Sequence, residues 1–136
     1  MTNKELDEKL GTAEKTGNYI GGLIGLLFLS REIAHREHLK TKSFSQHMAL
    51  GSFYNEVVET ADSITEAYQG RHEIIDIPFV PNDYKGSIID TLESILYCIE
   101  EIRYEAVPKT DTAIQNLIDE AVALFLSTLY KLKNLK

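Results

Sequence analysis

The apolar residues of this chain recur at helical spacing in four long segments. From about Thr16 to Leu39, the residues Tyr19, Ile20, Leu23, Ile24, Leu27, Phe28 and Ile33 form one broad apolar face. The polar run from Lys40 to Ser43 breaks that pattern, and Ser43 or Ser45 is a candidate N-cap. A second segment runs from about Ser45 to Gln69, with Met48, Leu50, Phe53, Val57, Ile64 and Tyr68 inward and Gly70 as a C-cap. Between Gly70 and Asp83 the apolar residues Ile74, Ile75, Ile77, Phe79 and Val80 are interrupted by Pro78 and Pro81, which exclude a regular helix. The third segment starts near Asn82 or Asp83 and runs to about Glu105, with Ile88, Leu92, Ile95, Leu96, Ile99 and Ile102 on one face. Val107 and Pro108 end it. Thr110 or Asp111 caps a fourth segment reaching about Leu132, with Ile114, Leu117, Ile118, Ala121, Leu124, Phe125 and Leu129 inward.

The lengths of the links decide the topology. Short links join segments one to two and three to four, so each pair is expected to be antiparallel. The longer apolar link in the middle can cross from one end of a bundle to the other. The expected fold is all-α: a ferritin-like four-helix bundle over residues 16–136, with one long crossover between helices two and three. Residues 1–15 form a polar N-terminal segment.

Composition narrows the function classes. At 136 residues the chain makes one domain, and 43% apolar with 26% charged residues is ordinary for a folded soluble protein. One cysteine, Cys98, forms neither an internal disulfide nor a cysteine-based zinc site, and it is expected as a small buried hydrophobe. The longest apolar stretch, Tyr19 to Leu29, is about half of what a membrane-spanning helix needs. Its glycines Gly21, Gly22 and Gly25 suit a close packing contact. The first residues lack a basic start and apolar run, so no export signal is read and a cytoplasmic location is expected. The net charge of −7 opposes binding to nucleic acid or to an anionic membrane.

The candidate chemistry lies in the histidines and the acids. His35 sits near the end of the first helix and His47 at the start of the second, so the turn between them brings both to one end of the bundle. Asp62 and Glu66 lie one turn apart on the second helix and share a face. Two imidazoles and two carboxylates suit iron or manganese and are tolerable to zinc. His47 and Asp62 stand fifteen residues apart, about 22 Å along one helix. They cannot share an ion within one chain. Antiparallel pairing of the second helices across a two-fold axis would let His47 of one subunit face Asp62 and Glu66 of the other. The metal reading therefore predicts a dimer. Glu32 and His35 have the Glu-x-x-His spacing of di-iron bundles, but only once, so that pattern is weak. His38 reads as a helix-end histidine and His72 as part of the crossover. Lys131, Lys133 and Lys136 complement a helix C-terminus.

The spacing His35-x11-His47-x14-Asp62-x3-Glu66 resembles the ferroxidase motif of the Dps proteins, the mini-ferritins named as DNA-binding proteins from starved cells. Phe53 falls where that family carries an aromatic, and the stretch from Asp111 to Lys131 is similar to its last helix. The resemblance covers about Leu23 to Leu132. It implies His35 and His47 as ligands from one subunit and Asp62 and Glu66 from its mate. It further implies iron(II) oxidation by peroxide or oxygen and a homo-oligomer built from dimers, up to a dodecameric shell. Two positions differ from the family's pattern. Gly51 stands where an Asp often follows the second histidine, and Arg36 stands where a Trp commonly follows the first. These differences define the alternative expectation, a non-catalytic helical-bundle oligomer with a structural or interaction role and a degenerate metal site. Read beside the motif, the charge separates two activities. The N-terminal tail mixes Lys4, Lys9 and Lys15 with Glu5, Asp7, Glu8 and Glu14, so no basic DNA-binding arm is expected, whereas an acidic surface attracts iron cations.

Overall fold

Each helix begins at a side chain that caps it. Asn18 Oδ1 accepts from the Gly21 N–H at 3.0 Å and Ser43 Oγ from the Gln46 N–H at 3.2 Å. Ser87 Oγ accepts from the Asp90 N–H at 3.4 Å and Asp111 Oδ1 from the Ile114 N–H at 3.3 Å. Each satisfies a donor that a helix start otherwise leaves unpaired. The computed structural model describes residues 18–82 and 84–136. The expected polar segment 1–15, the expected helix start at Thr16 and Asp83 lie outside the described residues. Among the described residues there are four helices and no strand: α1 (Tyr19–Lys40), α2 (Phe44–Arg71), α3 (Ile88–Ala106) and α4 (Thr112–Asn134).

The helices pack as a square. α1 lies against α2 and α3, and α4 lies against the same two. Their facing residues form one core, centred on Leu27, Leu50, Phe53, Ile64, Leu92, Ile95, Ile99, Ile118 and Phe125. Phe53 and Phe125 meet edge to face, 5.0 Å between centroids at 85°. At the other corner Arg103 is buried and fully engaged. Its guanidinium donates to Gln115 Oε1 at 2.9 Å, to the Gln115 carbonyl at 3.0 Å and to Asp119 at 2.6 Å. Gln115 Nε2 returns bonds to the carbonyls of Arg103 and Val107 at 3.3 and 2.9 Å. This cluster ties α3 to α4 through the turn that Val107 and Pro108 make.

The apolar run at the start of α1 has a direct cause. Every residue from Ile20 to Leu27 is buried, which a helix wetted on one side does not allow. Ile75, Ile77, Val80 and Tyr84, from the link between α2 and α3, pack over the side that the other helices leave open. Asn18 Nδ2 donates to the Asp76 carbonyl at 2.8 Å. A Cβ on Gly21 would collide with that same carbonyl oxygen, and one on Gly25 would stand 3.0 Å from the Pro78 carbonyl oxygen and 2.8 Å from Val80. Further along, Tyr84 donates its hydroxyl to Glu37 at 3.3 Å. Glycine on α1 is thus what lets a second backbone lie flat against it. No helix among the described residues is long and apolar enough to cross a membrane.

Two boundaries and two core positions differ from expectation. Gly70 does not end α2. The helix passes through it to Arg71, with His72 as the cap, and Gly70 has no positive φ. The His72 ring against Tyr68 and the Arg71–Asp111 ion pair at 2.9 Å hold that last turn. α3 begins at Ile88 rather than near Asn82, because Gly86 adopts φ 103° and Ser87 supplies the N-cap. The link before it is correspondingly longer. Phe28 and Met48 are exposed, while Cys98 is buried as expected.

Candidate functional site

The three-residue link between α1 and α2 folds the end of one helix beside the start of the next. It brings His38 of α1 directly onto His47 of α2. Their rings stack at 3.7 Å between centroids and 17° between planes. Each ring also bonds the other residue's main chain: His38 Nδ1 donates to the His47 carbonyl at 2.6 Å, and His47 Nδ1 donates to the His38 carbonyl at 2.8 Å. A carbonyl oxygen only accepts, so both Nδ1 atoms carry the proton. In the neutral rings Nε2 is therefore the basic nitrogen.

His35 sits one turn earlier and stacks on Tyr54 of α2, at 4.2 Å and 18°. Tyr54 also takes the edge of the His38 ring at 5.2 Å and lies under the Arg31 guanidinium at 5.7 Å. His35, His38, His47 and Tyr54 thus make one half-buried aromatic patch at the α1–α2 corner. His72 lies at the other end of α2 and takes no part in it.

Two sequence departures acquire structural causes here. Gly51 lies one turn after His47, and the His38 ring occupies the space above it. A Cβ at Gly51 would stand 3.0 Å from His38 Cε1 and 3.2 Å from its Nδ1. No side chain longer than hydrogen fits unless His38 moves. Arg36 points its Nε at Glu32, 2.8 Å away, where its charge is held by a carboxylate.

Asp62 and Glu66 are both exposed on α2. Neither makes an ion pair or hydrogen bond among the described residues. α2 runs unbroken from Phe44 to Arg71, so His47 and Asp62 stay about 22 Å apart at 1.5 Å per residue. Among the described residues, no group of three or more His, Cys, Asp or Glu could hold a metal ion within one chain. The structure therefore joins His47 to His38 and sets His35 on the same patch. It leaves the two carboxylates at a distance from all three. His38 is the residue that sequence reasoning passed over. A signal for it existed in Gly51, since a mid-helix glycine one turn after a histidine marks a place where something approaches closely.

Comparison with known proteins places these residues in a family. A family of unknown function, DUF5856, matches residues 38–132. The chain belongs to the DUF5856 family. That span includes His38, His47, Asp62 and Glu66 and begins just after His35. No curated protein matches the chain, and no solved structure does.

Proposed function

We propose that this chain is a Dps-like mini-ferritin subunit that binds iron between two copies and oxidises it. In this reading the four helices have ferritin-like connectivity, with segment 72–87 as the long crossover, and Fe(II) is the substrate. The observation that carries the reading is the division of the ligand set along α2. Imidazoles stand at its start, and two exposed carboxylates without partners among the described residues stand one turn apart near its end. A straight helix prevents one chain from closing that set, and an antiparallel second copy closes it twice. His35 and His47 supply neutral nitrogen donors, while Asp62 and Glu66 of the mate supply charge-balancing oxygens. The donors fit iron, and equally manganese or zinc. Each Fe(II) gives up one electron, and peroxide accepts two from a pair of ions.

A second reading has its own observation. His38 fills the space over Gly51, where an acid ligand would otherwise project. A bundle that keeps this corner as a structural clasp, without turnover, would look the same there. Anaerobic titration with Fe(II) followed by peroxide separates the two. The ferric absorbance should rise, and both His47→Ala and Asp62→Ala should abolish the rise. No Fe(II) binding above a buffer control sinks the iron reading. Light scattering should show at least a dimer at micromolar concentration, and a monomer would contradict the shared site. DNA mobility should be unchanged by the protein at moderate salt.

A further inference from the structure

We propose that His38 is the positioning residue of His47: it holds the His47 imidazole in one tautomer and one orientation, with Nε2 as the donor for a divalent transition-metal ion. The metal half of this statement rests on the reading of His47 as an iron ligand. The positioning half rests on geometry alone.

Three contacts converge on the pair. The His38 carbonyl accepts the His47 Nδ1–H at 2.8 Å, which assigns the proton to Nδ1 and the lone pair to Nε2. The His38 ring covers one face of the His47 ring at 3.7 Å. The His38 ring is itself held by its Nδ1–H bond to the His47 carbonyl and by Gly51 close beneath it. A donor histidine whose other ring nitrogen bonds a carbonyl is how proteins generally orient an imidazole toward a metal. His38 does not chelate alongside His47 as placed. The lone pair of an imidazole lies in its ring plane. Stacked planes only 17° from parallel keep the two Nε2 lone pairs in separate planes, which do not converge on a common ion.

The backbone carbonyl survives any substitution at this position, so the side chain's share can be isolated. In the metal-free protein at mildly alkaline pH, ¹⁵N NMR should show His47 as a single Nδ1–H tautomer. The His38 ring is what keeps the His47 imidazole seated against that carbonyl, so His38→Ala should let the imidazole swing away and turn His47 into a tautomer mixture. Anaerobic calorimetry with Fe²⁺ alone should then show the dissociation constant rising about 10- to 100-fold. Gly51→Ala displaces the ring without deleting it and should move both readouts in the same direction. His72→Ala, at the far end of α2, should move neither. Unchanged helical circular dichroism keeps loss of fold out of the comparison. If His47 keeps its single tautomer in His38→Ala and Gly51→Ala, the proposal is overturned. If the tautomer shifts as stated but the wild-type protein binds no Fe²⁺, His38 still positions His47 and the iron reading alone fails.

Discussion

Alanine at Gly51 and at Gly70 should change stability in opposite directions. Both glycines lie inside α2, and alanine is favoured over glycine in a helix interior by about 1 kcal/mol. Gly70 stands next to last in α2, where that preference is weaker, but nothing lies within 4 Å of an added Cβ, so Gly70→Ala should still realise part of the gain. For a chain of this size, about 1 kcal/mol raises Tm by roughly 3–5 °C. At Gly51 the same Cβ stands 3.0 Å from the His38 ring. That ring cannot retreat without weakening its 2.6 Å bond to the His47 carbonyl and its 3.7 Å stack on His47. The bond is worth about 1 kcal/mol and the stack about 0.5–1.5 kcal/mol. Their loss exceeds the helix gain, so Gly51→Ala should be destabilising by about 0.5–1.5 kcal/mol on those values. Urea unfolding followed by circular dichroism measures both, with an unchanged slope confirming that stability alone has moved. The same substitution in a His38→Ala background should recover the gain, because the obstacle is gone. A Gly51→Ala variant as stable as Gly70→Ala would refute the claim that His38 is held against Gly51.

Contacts away from this corner give two further expected outcomes. Burial, the charge of Glu37 and the hydrogen bond to it together raise the Tyr84 hydroxyl from its ordinary 10.0 to about 12. A group whose pKa is raised by folding stabilises fully below its unfolded value, so stability should fall as pH climbs from about 10 to about 12. Tyr84→Phe should flatten that fall; an unchanged slope would show that segment 72–87 is not anchored through this phenol. Gln115→Leu should cost about 2–4 kcal/mol in urea unfolding, because it strips an acceptor from buried Arg103 and the Gln115 donor from the Val107 carbonyl, while the Arg103 carbonyl keeps only its bond from the Val107 N–H. A loss below 1 kcal/mol would mean that water reaches the α3–α4 turn.

Helix identity was legible because period 3.6 in apolar residues reports burial directly, and α3 and α4 show it cleanly. Positions governed by partners distant in sequence were not. Gly70 reads as a terminator by type, yet the turn beyond it is held by Tyr68 under His72 and by Asp111 on Arg71. Gly86 reads as helix interior by neighbourhood, yet its φ of 103° delays α3 to Ser87 and Ile88. Phe28 and Met48 follow the apolar period of their helices but fall at its edge, where no neighbouring helix covers them. At the candidate site the spacing located His35, His47, Asp62 and Glu66 on the right helices. It could not reveal that His38, three residues past His35, reaches across the link to His47. That contact depends on the direction in which the α1–α2 turn closes, which no linear spacing encodes.

The charge along α2 bears on how two copies would meet. From Phe44 to Asn55 the helix carries no Asp, Glu, Lys or Arg, and from Glu56 to Glu66 it carries Glu56, Glu59, Asp62 and Glu66 with no Lys or Arg. All four acids are exposed. A parallel pair of α2 helices would set these acids against their own copies, and opposed like charges at an interface cost several kcal/mol. An antiparallel pair sets them against the uncharged half instead, the half that holds His47. The polarity that best separates the acids is thus the one that brings an imidazole to a carboxylate pair. The electrostatics of the helix and the geometry of the proposed site favour the same dimer. On the proposed reading, a cation bound there would also offset the remaining repulsion between the two acidic halves, and metal binding would then be coupled to assembly.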